Sequence, residues 1–327
     1  MRAIVMHEVG GPEVLTLEEV PVPDAGPGEV VIRTEAIGTH FAETAIRAGR
    51  YLPARPESLP ARVGIEAVGV VTGTGAGVEP ALLGSRRAVA LVEGAGTYAE
   101  YVAAPATATL PVPDGVTSVD AVATGLQGAV ALGLLRTARL TGSESILVEA
   151  AGGAVGGYLV QLAREHGAKR IVATAGSPEK RESARELGAD AVIDHREPDW
   201  PEQVAHVLDG GGLDVVFESI GGGTAGRLLD AMTPATGRIV FYGMLSGEPP
   251  AVAPMDLLLR GLTLIGFGGR PGGEMDRIRA PHADVLDRLA SGHIRPLVDS
   301  VMPLAEAAAA HRRIEERRAV GKIVLTP

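Results

Sequence analysis

Residues 146–157 read Ile-Leu-Val-Glu-Ala-Ala-Gly-Gly-Ala-Val-Gly-Gly, an apolar strand that breaks into glycines and then runs into a helical pattern from Tyr158 to Ala163. Residue types in that order suit a dinucleotide. Gly153 lets the backbone approach a pyrophosphate, Ala154 and Val155 turn helix N-terminal amides toward its charge, and Gly156 lets the helix pack on the sheet. Ala151 stands where the pattern G-x-G-x-x-G has its first glycine, so the surroundings carry the reading. A strand precedes the turn, a helix follows it, and a second strand, Arg170 to Thr174, comes where a βαβ unit needs one. The alternative is an ordinary glycine-rich loop between a strand and a helix.

The tip of that second strand, at Thr174, bears on which dinucleotide is held. An NAD site carries Asp or Glu about twenty residues past the turn to bind the ribose hydroxyls, whereas this chain reads Ala175-Gly176-Ser177-Pro178-Glu179-Lys180-Arg181. No acid stands at the tip itself. Ser177, Lys180 and Arg181 offer a hydroxyl and cations to a 2′-phosphate, which favours NADP(H). Alternatively, Lys180 and Arg181 belong to the solvated first turn of a helix, Glu179 to Leu187, and pair with its glutamates.

The elements that must position these residues fall into two blocks. Up to about residue 120 the chain alternates short apolar stretches (Val14–Val20, Glu29–Glu35, Gly69–Gly73, Arg87–Leu91) with Pro and Gly turns, the pattern of a compact, partly barrel-like β domain. Helical and strand patterns then alternate: Ala121–Leu135, Ser145–Ala150, Gly157–His166, Arg170–Thr174, Pro178–Leu187, Ala191–Asp194, Trp200–Leu208, Val215–Glu218, Thr224–Ala231 and Arg238–Tyr242. That order predicts a doubly wound parallel sheet. After a last strand near Leu262–Phe267, the tail rejoins the β domain.

Composition narrows the chemistry. At 327 residues the chain supports two domains with proper cores. A net charge of −10 without a basic run argues against nucleic acid or an anionic membrane as partner. With no cysteine there is no disulfide, no thiolate zinc site and no cysteine nucleophile. The N-terminus reads as a strand, not a signal peptide, and no apolar run reaches membrane-spanning length, so a cytoplasmic location is expected.

The order β domain, nucleotide domain, return, with Ala150-Ala-Gly-Gly-Ala-Val-Gly156 at the turn, resembles the medium-chain dehydrogenase/reductase superfamily and its zinc-free quinone oxidoreductase (zeta-crystallin-like) branch. The likeness also rests on Met1-Arg-Ala-Ile-Val5, Ile46-Arg-Ala-Gly-Arg-Tyr51, Leu59-Pro-Ala-Arg-Val-Gly-Ile-Glu-Ala-Val-Gly69, Gly96-Thr-Tyr-Ala-Glu-Tyr-Val102, Glu186-Leu-Gly-Ala-Asp-Ala-Val-Ile-Asp194 and Gly321-Lys-Ile-Val-Leu325. It implies an α/β chain with a GroES-like β domain (1–121 and 264–327) that binds the substrate, and a Rossmann NADP(H) domain (122–263). Zinc-dependent members hold zinc through cysteines and a histidine. Here the first of those cysteines falls on His40 and the histidine on Ile65, so no zinc site is expected. The resemblance implies hydride transfer from NADPH to a quinone or another activated conjugated carbonyl. An enoyl reductase of a biosynthetic pathway and a non-catalytic NADPH-binding protein are the alternatives.

Carried over residue by residue, the resemblance makes Tyr51 and His40 the catalytic candidates. Tyr51 stands where enoyl reductases carry a proton-donating tyrosine, and His40 replaces a common asparagine. Gln127 takes the place of a threonine that contacts the nicotinamide amide, and His195 that of a tyrosine near the 2′-phosphate. Ser219, Tyr242 and Gly243 follow later strands at their carboxyl ends, and Phe267 and Lys322 correspond to positions that border the nicotinamide. Packing in the cleft wall or at strand ends is the alternative for each of these. Leu262–Gly266 is an apolar edge strand that relatives pair across a dimer, so a homodimer is expected.

Overall fold

The computed structural model describes residues 1–50, 59–90, 96–268 and 274–327. They divide into two units, Met1–Leu126 with His282–Pro327, and Gln127–Pro281. The first unit opens with strands β1 (Arg2–Met6), β2 (Thr16–Glu19) and β3 (Glu29–Gly38), helix α1 (Phe41–Arg47), and strands β4 (Ala61–Arg62), β5 (Glu66–Thr74), β6 (Arg86–Ala90), β7 (Tyr101–Pro105) and β8 (Thr109–Pro111). β2, β1 and β4 form a small antiparallel sheet. β3 pairs antiparallel with both β5 and β7, and its Val30, Ile32 and Ala36, on one face of the strand, are buried while Arg33 on the other face is exposed.

Helix α2 (Ser118–Ala138) leads to the second unit. At 21 residues it is long and apolar enough to cross a membrane, contrary to the expectation from the sequence, but 78% of its apolar window is buried within the protein, as in a core helix. β9 (Glu144–Val148), α3 (Ala154–Ala163), β10 (Ala168–Thr174), α4 (Pro178–Glu186), β11 (Ala191–Ile193), α5 (Trp200–Val207), β12 (Val215–Glu218), β13 (Arg238–Phe241), α6 (Pro254–Arg260), β14 (Thr263–Gly266) and α7 (Glu274–Ala290) follow. The six strands of this unit are all parallel, in the order β11-β10-β9-β12-β13-β14. The strand order reverses between β9 and β12, and a doubly wound sheet opens its ligand crevice at the carboxyl ends there. Leu147, Val172, Val216 and Ile239 from four neighbouring strands pack with Trp200, Val204 and Leu228. Each such side chain contributes about 1.5–3 kcal/mol by leaving water.

The chain returns to the first unit with β15 (Val298–Pro303), α8 (Ala307–Glu315) and β16 (Lys322–Thr326). β16 pairs antiparallel with β3 and brings Lys322 into that unit's interior.

Three local expectations change. The second unit runs to Pro281 instead of 263, because β14 is the sixth strand of its sheet, and it begins at Gln127 instead of 122. α6 lies in a stretch without an expected helix, although Pro254 at its first turn and Gly261 beyond its end, at φ 65°, are ordinary boundary residues. The helix expected over Thr224–Ala231 is only a short 3₁₀ turn, Ala225–Leu228, with Gly226 inside it.

Candidate active site

In the second unit, the dinucleotide turn is built around backbone contacts. Ala150 adopts φ 51°, the left-handed conformation, and its carbonyl accepts from the Gly153 amide at 2.8 Å. Gly153 is the N-cap of α3, and Ala154 and Val155 form its first turn. A Cβ on Gly156 would lie 2.6 Å from the Ala150 oxygen and 2.8 Å from Ala151 Cα, so only glycine lets the helix come this close. On Gly153 a Cβ would meet only the Ala150 oxygen, at 3.3 Å, and would otherwise face open space. The turn is tied to the next strand by the Ala151 amide, which donates to the Thr174 carbonyl at 3.0 Å.

At the tip of β10, Ser177 caps α4: its hydroxyl oxygen accepts from the Lys180 amide at 3.3 Å. The Lys180 stem lies along the turn, and a Cβ on Gly152 would come within 2.4 Å of Lys180 Cβ. The glycine turn and the lysine are thus adjacent, as a site for pyrophosphate and 2′-phosphate requires. Arg181 differs from both readings of the sequence. Its guanidinium pairs with Asp194 at 2.6 Å, and Arg196 binds the same carboxylate at 2.7 Å. Hydrogen bonds from Arg196, ahead of the Arg181 charge, hold Asp194 well below the usual carboxylate range. His195 lies over Gly176, whose added Cβ would be 3.1 Å from His195 Nε2.

At the carboxyl ends of β9 and β12, Ser219 is buried and its amide donates to Glu149 at 3.1 Å. Glu218 accepts from the amides of Ile220 at 2.9 Å and Gly221 at 2.6 Å. Burial raises both carboxyls, and for Glu149 the charge of Glu218 adds to it. Tyr242 follows β13, its amide donating to the Glu218 carbonyl at 3.0 Å, and burial pushes its phenol up. Gly243 passes close to Ser219, leaving 3.1 Å between an added Cβ and the Ser219 carbonyl. Gln127 is buried on α2. Phe267 lays its ring over Gly133 of α2, lining a cavity of about 850 Å³ with Arg136, Glu144 and Arg238. The ring is therefore packed against α2.

The first unit holds a buried polar cluster. His40 is the N-cap of α1, Glu66 opens β5 and Lys322 opens β16. Lys322 Nζ lies 3.0 Å from His40 Nε2 and 3.1 Å from Glu66 Oε2, and His40 Nε2 is itself 3.0 Å from Glu66 Oε2. Glu66 Oε1 accepts from the Leu126 amide at 2.9 Å. Burial opposes its ionisation, but Lys322 and His40 together hold Glu66 down at about 2. Burial lowers the Lys322 ammonium, with Glu66 working against it. His282, likewise buried and lowered, faces Glu66 and Gly125. Behind His40, Glu43 accepts from the His40 amide at 2.8 Å, the Ile65 amide at 2.9 Å and the Tyr98 hydroxyl at 2.6 Å.

His40 and Lys322 are thus direct neighbours, while Tyr51 lies outside the described residues. Glu66, His282, Glu149 and Glu218 are not among the candidates drawn from the sequence. Their signal there is slight: a glutamate beside a glycine turn reads as a solvated residue until its burial is known.

Two family models match the chain: the alcohol dehydrogenase GroES-like domain over residues 26–114 and the zinc-binding dehydrogenase family over residues 154–279. A 2-haloacrylate reductase from a Burkholderia species is 35% identical over 336 residues, spanning 100% of this chain and 99% of its own. Among solved structures, a mycobacterial protein complexed with NADPH superposes with a TM-score of 0.90 at 34% identity, covering 100% of both chains. Escherichia coli quinone oxidoreductase complexed with NADPH also gives a TM-score of 0.90, at 31% identity and 100% coverage of both chains.

Proposed function

The chain belongs to the medium-chain dehydrogenase/reductase family, in its quinone oxidoreductase branch, and from that premise we propose that it reduces a quinone or another activated conjugated carbonyl with NADPH and without zinc. It is an oxidoreductase whose cofactor is NADP(H). The residues of the second unit fit that cofactor: glycines leave space at the turn, helix amides face it, and Lys180 stands beside it. When bound, NADPH supplies the hydride.

The observation that carries the zinc-free reading is the Lys322 ammonium, 3.0 Å from His40 Nε2 and 3.1 Å from Glu66. A catalytic zinc needs three protein ligands. The positions that correspond to them include Ile65, and the contact side of His40 is already taken by a cation of the chain itself. Without a Lewis acid to deprotonate an alcohol, an electron-poor acceptor is the natural partner. His40, held by Glu66 and Lys322, orients the acceptor, and the proton comes from Tyr51, His40 or water. Catalysis is then chiefly alignment of two planar π systems.

The 2-haloacrylate reductase relative favours a second reading, in which the acceptor is an activated C=C bond of an enoyl substrate. Exposed Leu258 and Leu259, at 72% and 75%, and the outermost strand β14 support a homodimer paired along that edge. Steady-state assays of NADPH and NADH against quinones, enones and enoyl thioesters test the function. NADPH-preferring turnover of quinones supports it. Preference for NADH, or turnover abolished by a chelator, overturns it. Tyr51→Phe separates the two acceptor classes, because a carbanion-like centre benefits more from a fixed acid than a quinone does.

A further inference from the structure

Glu149 and Glu218 stand at the carboxyl ends of β9 and β12, the neighbouring parallel strands between which the order of the second unit's sheet reverses. Both are at most 1% exposed. One oxygen of each is engaged: Glu149 Oε2 by the Ser219 amide, Glu218 Oε1 by the amides of Ile220 and Gly221. The other two, Glu149 Oε1 and Glu218 Oε2, meet no donor, although the two side chains are hydrogen-bond neighbours. A carboxylate only accepts. Two bare carboxylates in contact away from water repel, whereas one proton between them satisfies both oxygens at once. The titratable group facing them from the adjoining strand is the Tyr242 phenol, which is uncharged in its ordinary range and offers no countercharge.

We propose that Glu149 and Glu218 share a single proton and thereby position the two loops, 150–153 and 219–222, that flank the cofactor crevice. The positioning role rests on the NADPH-dependent reading above. While the proton is shared, the carboxyls hold the Ser219, Ile220 and Gly221 amides in place and join the end of β12 to the glycine turn. When the proton passes to water, the pair carries two negative charges, the carboxyls separate, and the amides they hold move with them. Both carboxyls are raised, so this loss falls on the alkaline side of the ordinary carboxylate range. The folded state then loses stability as pH rises, and so does the cofactor-competent arrangement.

The test compares wild type with Glu149→Gln and Glu218→Gln in thermal melts, KM for NADPH and infrared difference spectra across about pH 6 to 9, the range in which buried glutamates titrate. A glutamine carries its own N–H in place of the shared proton and keeps a carbonyl for the backbone amide. Wild type should show a protonated-carboxyl C=O band at neutral pH and a KM that rises up to roughly tenfold per pH unit beyond the pair's pKa. In Glu149→Gln the band should vanish and the KM profile flatten. Parallel KM and melting profiles in wild type and both variants, or no such band in wild type, would overturn the proposal. If Glu149→Gln fails to fold, Glu218→Gln and the wild-type spectrum decide. A chain that ignores NADPH refutes the cofactor reading and the positioning role with it, while the shared proton still stands or falls on the infrared band.

Discussion

Alanine at Gly153 and at Gly156 should separate the two tasks of the dinucleotide turn, folding and binding. At Gly156 the new Cβ would lie 2.6 Å from the Ala150 oxygen and 2.8 Å from Ala151 Cα, so α3 must retreat by about 0.8 Å to restore ordinary contact. Overpacking of this kind costs about 1–3 kcal/mol, and the better helix propensity of alanine returns up to about 1. With that full return, the net loss of stability is about 0–2 kcal/mol. The same displacement carries the α3 amides away from the pyrophosphate, and losing one charge-assisted hydrogen bond, about 1.5–3 kcal/mol, weakens NADPH roughly ten- to a hundredfold. At Gly153, φ is −90° and an added Cβ has one contact, at 3.3 Å, so the fold tolerates alanine at a helix-cap cost below about 1 kcal/mol. Its methyl nevertheless projects into open space beside the turn, where the proposed cofactor site seats the pyrophosphate. Thermal melts and calorimetric NADPH titrations of both variants read the two effects apart. Gly153→Ala should melt close to wild type yet lose NADPH affinity by at least about tenfold. A Gly153→Ala protein that binds NADPH normally, or a Gly156→Ala protein unchanged in both respects, would refute the reasoning.

Lys322→Met should destabilise the first unit by about 3 kcal/mol by leaving Glu66 buried without its cation, and adding Glu66→Gln should recover much of that, as measured in a double-mutant cycle of chemical denaturation. Glu144 is held down at about 2: burial opposes its ionisation, but backbone amides of residues 141–143 donate to it and prevail. Its folded value lies below the unfolded one, so its stabilising contribution is present above about pH 4.5 and disappears as pH falls toward 2. Glu144→Gln should lower the melting temperature at neutral pH and make acid unfolding over that window shallower. Ala150→Gly should stabilise the protein by up to about 1 kcal/mol, because φ 51° strains alanine but not glycine; a lower melting temperature would contradict this.

Features that depend on near neighbours were legible in the sequence. The glycine spacing of the turn and the alternation of strand and helix each express local backbone preferences, and both stand in the structure; that the Ser177 hydroxyl caps α4 came only from the structure. Local signals were misleading where several elements compete for one stretch. Arg181, which read as a phosphate ligand or a partner of its own helix's glutamates, is taken by Asp194 at the end of a different strand. The sequence ends the nucleotide domain at 263, yet β14 pairs with β13 in that domain's sheet and the unit runs on to Pro281, because strand pairing is decided by partners distant in the chain.

Proximity between distant residues is what only the tertiary structure decided. Lys322 meets Glu66 across 256 residues, and the Ser219 amide meets Glu149 across 70. The absence of cysteine ruled out a thiolate zinc site from composition alone, but an ammonium resting between His40 and Glu66 required β16 to pair beside β3. Likewise, two glutamates become a proton-sharing pair only when parallel strands place them side by side away from water. Sequence specifies which groups the chain carries and how the backbone bends near them; charge state and partnership follow from burial and distance, which the assembled sheets impose.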